Sequence, residues 1–213
     1  MADSPARGGP AARPALPTLV LASASPRRRE LLASLGLAFE VRPVDLDETP
    51  RAGEEAREYV RRLAVEKATA RAAAGELVLA ADTVVVVGGE LLGKPRDREE
   101  AARMLRTIAG REHVVLTGVA LHEPARGPGA RDAFAVAVDS SRVRMASLSD
   151  EEIAWYAATG EPLDKAGSYA VQGLGALFVE AIDGNYTNVV GLPLPAMYRL
   201  FAELGYDLRD FRP

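Results

Sequence analysis

Residues 19–36, LVLASASPRRRELLASLG, decide the fold. An apolar run over 18–22 reads as a buried strand, and past Ser25 the pattern changes to Leu31, Leu32 and Leu35 at helical spacing, with Gly36 as the stop. Ser25 suits the N-cap and Pro26 the first helical position. The charge at this joint runs against helix electrostatics. Arg27, Arg28 and Arg29 crowd the first turn, where the dipole is positive and the N–H groups lack partners. Three guanidiniums there imply a shared anion.

Working outward, AFEVRPV (38–44) reads as a second strand, and the acidic loop DLDETPRAGEE (45–55) leads to a long helix over 54–74. ELVLAADTVVVV (76–87) reads as a buried strand that turns at Gly88-Gly89 into a short partner, followed by a helix over 97–109. Residues 111–123 and 133–147 form two long strands of a hairpin around the turn PARGPGARD. A capping box of Ser149 and Glu152 opens a helix that carries Trp155 and Tyr156, both expected in the core. A Gly-rich loop and strand over 164–182 and a last helix near Pro193 complete the order. It describes a mixed α/β sheet with two lobes. Residues 1–17, rich in Ala, Pro, Gly and Arg, are expected to be a disordered arm, and 18–213 a single domain.

The chain has 213 residues, 48% of them hydrophobic, enough for one core or two lobes around a cleft. Its formal net charge of −4 argues against general affinity for nucleic acid, so the anion is expected to be a small ligand. There is no cysteine, and hence no disulfide, thiolate metal site or cysteine nucleophile. No signal-peptide core or apolar run of membrane-spanning length is present, so the chain is read as cytoplasmic and without a membrane partner.

Asp82 lies in the middle of an apolar strand, and a carboxylate buried there needs a cation, a metal or a hydrogen-bond network. A structural aspartate bonded to backbone N–H groups satisfies that need. So does a hard cation such as Mg2+ shared with Glu48 of the acidic loop. GGELLGKP (88–95) nearly matches a phosphate loop, but Pro95 stands where the Ser or Thr belongs and the context is a hairpin, which leaves only Lys94 as a phosphate contact or a solvated lysine. Lys67 falls on the apolar face of its helix with Val60, Leu63 and Ala64, and either snorkels or reaches a cleft. Asp164, Lys165, Ser168 and Gln172 are concentrated in the Gly-rich loop. His113 and His122 have no neighbouring ligand set for zinc, and Ser23 and Ser25 have no local base.

Taken in order, LASASPRRRELL, DLDE, LAVEKA, ADTVVVVGGELLGKP, LTGV, GEPLDKAGSYAVQG and DGNYTNVVGLPLP resemble the Maf family of nucleoside triphosphate pyrophosphatases over residues 18–206. The resemblance implies a Maf/ITPase-like mixed central sheet flanked by helices, with two lobes around a substrate cleft. It also implies hydrolysis of a nucleoside triphosphate to monophosphate and pyrophosphate with a divalent cation, Mg2+ or Mn2+. By motif position Asp82 matches the proton acceptor and Glu48 the essential acid, and the two are also the candidate metal ligands. Ser23, Arg27, Arg28, Lys67, Lys94 and Lys165 match substrate-binding positions, with Arg29 a bystander. Arg27, Thr83 and Gln172 match the subgroup acting on dTTP and UTP, which makes modified pyrimidine nucleotides further candidate substrates and nucleotide house-cleaning the implied role. A homodimer is implied as well. The alternative carried by the family's name is a regulator of septum formation that binds nucleotide without turnover, although two carboxylates facing a polyanion give a mere binder no advantage.

Overall fold

The computed structural model describes residues 16–213 except 126 and 128, so the expected N-terminal arm lies, apart from Leu16 and Pro17, outside the described residues. Seven strands form one mixed sheet: β1 (Thr18–Leu21), β2 (Glu40–Val41), β3 (Glu76–Val87), β4 (Glu90–Leu92), β5 (Glu112–Glu123), β6 (Ala133–Met145) and β7 (Val179–Asp183). Their order is β2-β1-β3-β5-β6-β7, with β4 paired to the far end of β3. β1 runs parallel to β2 and β3, and all other pairs are antiparallel. The helices are α1 (Pro26–Ser34), α2 (Ala56–Thr69), α3 (Arg98–Ile108), α4 (Asp150–Ala158), α5 (Tyr186–Val190) and α6 (Leu194–Glu203). Among the described residues no helix is long and apolar enough to cross a membrane.

The cleft follows from the two-residue period of β3. Leu77, Leu79 and Ala81 join a core with Leu19, Leu21, Leu32, Met197 and Phe201, while Val85 and Val87 join a second core with Leu105, Ile108 and Tyr156. Thr83 stands between the two cores, so the apolar face is interrupted there. On the other face Val78 and Ala80 pack against Ala64 and Ala68 of α2, and Val84 packs with Val60 and Leu63. Asp82 belongs to this face.

Helix α2 lies unusually close to the sheet because β5 carries Gly118, the register partner of Asp82. A Cβ built on Gly118 would stand 2.2 Å from the Val60 carbonyl oxygen. The constraint is steric: any side chain here pushes α2 away from Asp82. The hairpin turn at Gly88 and Gly89 has positive φ at both residues, 57° and 87°, as its sharp reversal requires. The near phosphate-loop motif is therefore a β-turn.

The Gly-rich loop over 164–182 carries short 3₁₀ turns, with positive φ at Gly167, Ser168 and Gly173, before its strand Val179–Asp183. Three expectations are corrected. The second strand shrinks to Glu40–Val41, and α2 ends at Thr69 instead of reaching 74. Trp155 is 48% exposed, whereas Tyr156 is fully buried. On a helix one residue apart is about 100° of rotation, and the face of α4 that buries Ile153, Tyr156 and Ala157 leaves Trp155 outside it. Replacing Gly118 by Ala is expected to destabilise the fold by about 1–3 kcal/mol through overpacking. Thermal unfolding checks this: an unchanged midpoint would show that α2 does not need the close approach.

Candidate active site

One cleft of about 270 Å³ opens where β1, β3 and α1 meet the Gly-rich loop, and it collects the residues singled out by motif: Ser23, Arg27, Arg28, Glu48, Lys67, Asp82, Thr83, Lys94, Lys165 and Gln172. They come from seven separate segments of the chain.

Lys67 is the centre of its acidic side. The stripe Tyr59, Leu63, Lys67 at i, i+4, i+8 faces the sheet, and Nζ of Lys67 lies 2.6 Å from Asp82 Oδ1 and 2.6 Å from Glu48 Oε1. Lys67 and Asp82 are both buried, so each supplies the partner that the other needs. Burial alone would raise the Glu48 carboxyl, but the bond from Lys67 and the nearby charges of Lys67, Lys94 and Arg28 outweigh it and hold it below its ordinary value. The sequence left Lys67 either snorkelling or reaching a cleft, and the structure puts its ammonium between the two carboxylates.

The loop that carries Glu48 is tied to α2. Tyr59 Oη donates to the Glu48 carbonyl at 2.9 Å, and Arg62 grips Glu54 through Nε and Nη2 at 2.6 and 2.7 Å. Asp47 Oδ1 accepts from the Thr49 N–H and hydroxyl at 2.9 and 2.6 Å, closing the turn. Tyr59, Glu54 and Arg62 went unnoticed in the sequence, although Tyr59 shares the Lys67 stripe and gave a usable signal.

At the start of α1, Ser25 caps the helix weakly, at 3.5 Å to the Arg28 N–H, and the arginines diverge. Arg28 turns inward and donates to the Gly191 carbonyl, the Ala81 carbonyl, Ser23 Oγ and Thr83 Oγ1 at 2.7, 2.8, 3.2 and 3.0 Å. Four of its five N–H groups are thus committed to protein. Arg28 is thus braced by the protein while it lines the cleft beside Arg27. Arg27 bonds Asp164 through Nη1 at 2.9 Å, and Lys165 bonds the other oxygen of the same carboxylate at 2.6 Å. Arg29 is exposed. Thr83 is enclosed by Arg28 and by the Thr117 hydroxyl at 3.0 Å. Lys94 is exposed on the cleft wall, and Gln172 is exposed at its mouth.

The histidines lie apart. His113 Nε2 meets the Tyr169 hydroxyl at 2.8 Å, and burial pushes its imidazole down to about 4. His122 bridges the Ala68 carbonyl and Asp132. Among the described residues no group of three or more His, Cys, Asp and Glu could hold a metal unaided.

Glu54 yields a pH-dependent outcome. The Arg62 bonds, with that from the Arg51 N–H, depress its carboxyl to about 2 against an unfolded value of about 4.3. Its contribution to stability is present above the unfolded value and is lost as pH falls toward 2. Glu54→Gln is therefore expected to lower the melting midpoint at pH 7, with the gap to the unsubstituted protein closing between about pH 4.3 and 2. A gap that stays constant down to pH 2 would dismiss the clamp.

The chain is similar to known proteins over most of its length. The family described as Maf-like protein matches residues 18–204. A protein of Anaeromyxobacter dehalogenans (strain 2CP-1 / ATCC BAA-258) named dTTP/UTP pyrophosphatase is 55% identical over 92% of this chain and 99% of its own. Proteins of the same name from Myxococcus xanthus and Shewanella oneidensis are 53% and 49% identical, over 89% and 88% of this chain and 94% and 98% of theirs. A crystal structure titled nucleoside-triphosphatase / dITP/XTP pyrophosphatase, from Mycobacterium abscessus, aligns over 88% of this chain and 97% of its own with a TM-score of 0.37 and 13% identity, a likeness too distant to decide anything. With the family matched over most of its length and relatives above half identity, the chain belongs to the Maf-like protein family.

Proposed function

We propose that this protein hydrolyses dTTP and UTP, and modified pyrimidine nucleotides of the same shape, to the monophosphate and pyrophosphate. The observation that carries the reading is the meeting of both charges in one cleft: the Asp82 and Glu48 carboxylates around Lys67, with Arg27, Lys94 and Lys165 lining the same cavity. The relatives named dTTP/UTP pyrophosphatase support it, since each aligns with this chain over nearly all of its own length.

A divalent cation fits the donor set. Mg2+ is held in enzymes of this kind by one or two carboxylates together with substrate phosphate oxygens, and the Glu48 and Asp82 oxygens converge on one point, now taken by Lys67 Nζ. Glu48 and Asp82 would hold the ion, which when bound polarises the phosphoryl oxygens and makes water more acidic. Asp82 takes the proton of the attacking water on Oδ2, its Oδ1 being engaged by Lys67. Attack at the α-phosphorus breaks the bond to the bridging oxygen, and pyrophosphate leaves. Arg27, Lys94 and Lys165 offset the charge on that leaving group. Lys67 offsets the Asp82 charge and holds its Oδ1. Gln172 reads the pyrimidine edge with an amide that both donates and accepts.

Incubation of the purified protein with Mg2+ and each common nucleoside triphosphate, with separation of the products, tests this. Monophosphate and pyrophosphate are expected from dTTP and UTP, with turnover abolished by EDTA. Asp82→Asn is expected to lower kcat by about 10²–10⁴-fold. Diphosphate with orthophosphate would reject α,β-cleavage, and tight nucleotide binding without turnover would favour the septum regulator. Light scattering of the eluted protein tests the homodimer.

A further inference from the structure

The loop that carries Gln172 has no regular structure of its own, yet a base edge is discriminated only if the amide is held still. Two side chains outside the cleft hold both ends of its arc. At the near end, the Ala170 N–H donates to Tyr156 Oη at 3.1 Å. At the far end, the Leu174 and Gly175 N–H groups donate to Glu161 Oε2 and Oε1, each at 3.0 Å. Tyr156 Oη in turn donates to Glu161 Oε1 at 2.8 Å, which joins the two anchors into one unit. Three residues, Val171, Gln172 and Gly173, span the interval between them.

The unit has little room to shift. Tyr156 is fully buried on α4, with its ring 5.5 Å from that of Phe178. A Cβ on Gly175 would stand 2.4 Å from Tyr156 Oη, and one on Gly173 2.6 Å from Glu161 Oε2. Burial alone would raise the Glu161 carboxyl, but the bonds from Gly175, Leu174 and Tyr156 more than compensate and hold it below its ordinary value, so it accepts as an anion. The Glu161 carbonyl also accepts from Lys165 Nζ at 2.6 Å. Neither side chain lines the cleft.

We propose that Tyr156 and Glu161 are positioning residues for base selection: they hold the 170–175 arc rigid so that Gln172 presents its amide to the pyrimidine at a fixed distance and orientation. The inference rests on Gln172 as the base-reading residue. The unit makes no hydrogen bond to Asp82, Glu48 or Lys67, although Tyr156 shares a core with Val85 and Val87 of β3 and the Glu161 carbonyl accepts from Lys165 Nζ.

Steady-state kinetics with dTTP, UTP and CTP on Tyr156→Phe, Glu161→Gln, Gln172→Ala and the double variant Tyr156→Phe/Gln172→Ala test it. Tyr156→Phe is expected to lower the UTP-to-CTP ratio of kcat/KM by roughly three- to tenfold, the worth of about one lost hydrogen bond, through a higher KM for UTP at nearly constant kcat. In the Gln172→Ala background the same substitution is expected to change the ratio no further. If Gln172→Ala lowers the ratio while Tyr156→Phe and Glu161→Gln leave it intact, the positioning role is overturned and Gln172 still reads the base. If Gln172→Ala leaves the ratio unchanged, the base-reading assignment fails and the inference falls with it. An equal loss for all three nucleotides with a lower melting midpoint would make the unit merely structural, which also overturns the proposal. Should Glu161→Gln fail to fold, Tyr156→Phe alone decides, since it removes a single hydroxyl.

Discussion

The ammonium of Lys67, placed 2.6 Å from each of two carboxylates, is the interaction around which this molecule is arranged. A buried Asp82 without it would face the full cost of an uncompensated charge in an apolar sheet. Meeting it takes three separate concessions. The face of α2 must point Lys67 at the sheet, β5 must supply a glycine at 118 so that the helix can descend, and the acidic loop must be clamped by Arg62 and Tyr59 so that Glu48 arrives from the third side. Each belongs to a different part of the chain, so the centre forms only when the sheet, α2 and the loop are all in place.

The opposite wall follows the same logic with the signs reversed. Arg27 and Lys165 share the Asp164 carboxylate, as Glu48 and Asp82 share Lys67. The cleft therefore holds a cation between two anions and an anion between two cations, and its charges are balanced among themselves. These pairings leave none of the groups bare at low dielectric, which is how one fold keeps so many charges in a small volume.

The elements were largely legible in the sequence, and so was the membership of the site. Apolar runs identify β1, β3, β5 and β6, and caps at Ser25 and Ser149 mark two helices, because these signals are local. The failures are also physical. The run over 164–182 reads as loop and then strand, but nothing in it marks the short turns where Gly167, Ser168 and Gly173 adopt positive φ before the strand opens at Val179. Trp155 was placed in the core for its size alone, whereas the face that α4 buries is set by α3, whose position is not written in α4. Nothing in the sequence shows that four acceptors, two of them backbone carbonyls of Ala81 and Gly191, would converge on Arg28.

The sequence by itself determined the strand-to-helix joint, the buried carboxylate that demands a cation, the absence of thiol chemistry and the list of residues that form the cleft. The first three depend on residue type and short-range spacing, which a single strand of text contains, and the last on ordered motifs that resemble the Maf family. Only the tertiary structure decided the pairings: Lys67 between Glu48 and Asp82, Arg27 with Asp164, Arg28 as a brace, and the Tyr156–Glu161 hold on the Gln172 arc. The reason is geometric. A hydrogen bond forms within a few tenths of an ångström or not at all, and that distance depends on how close α2, β3 and the loops pack, which the steric allowance at Gly118 sets and no local pattern records.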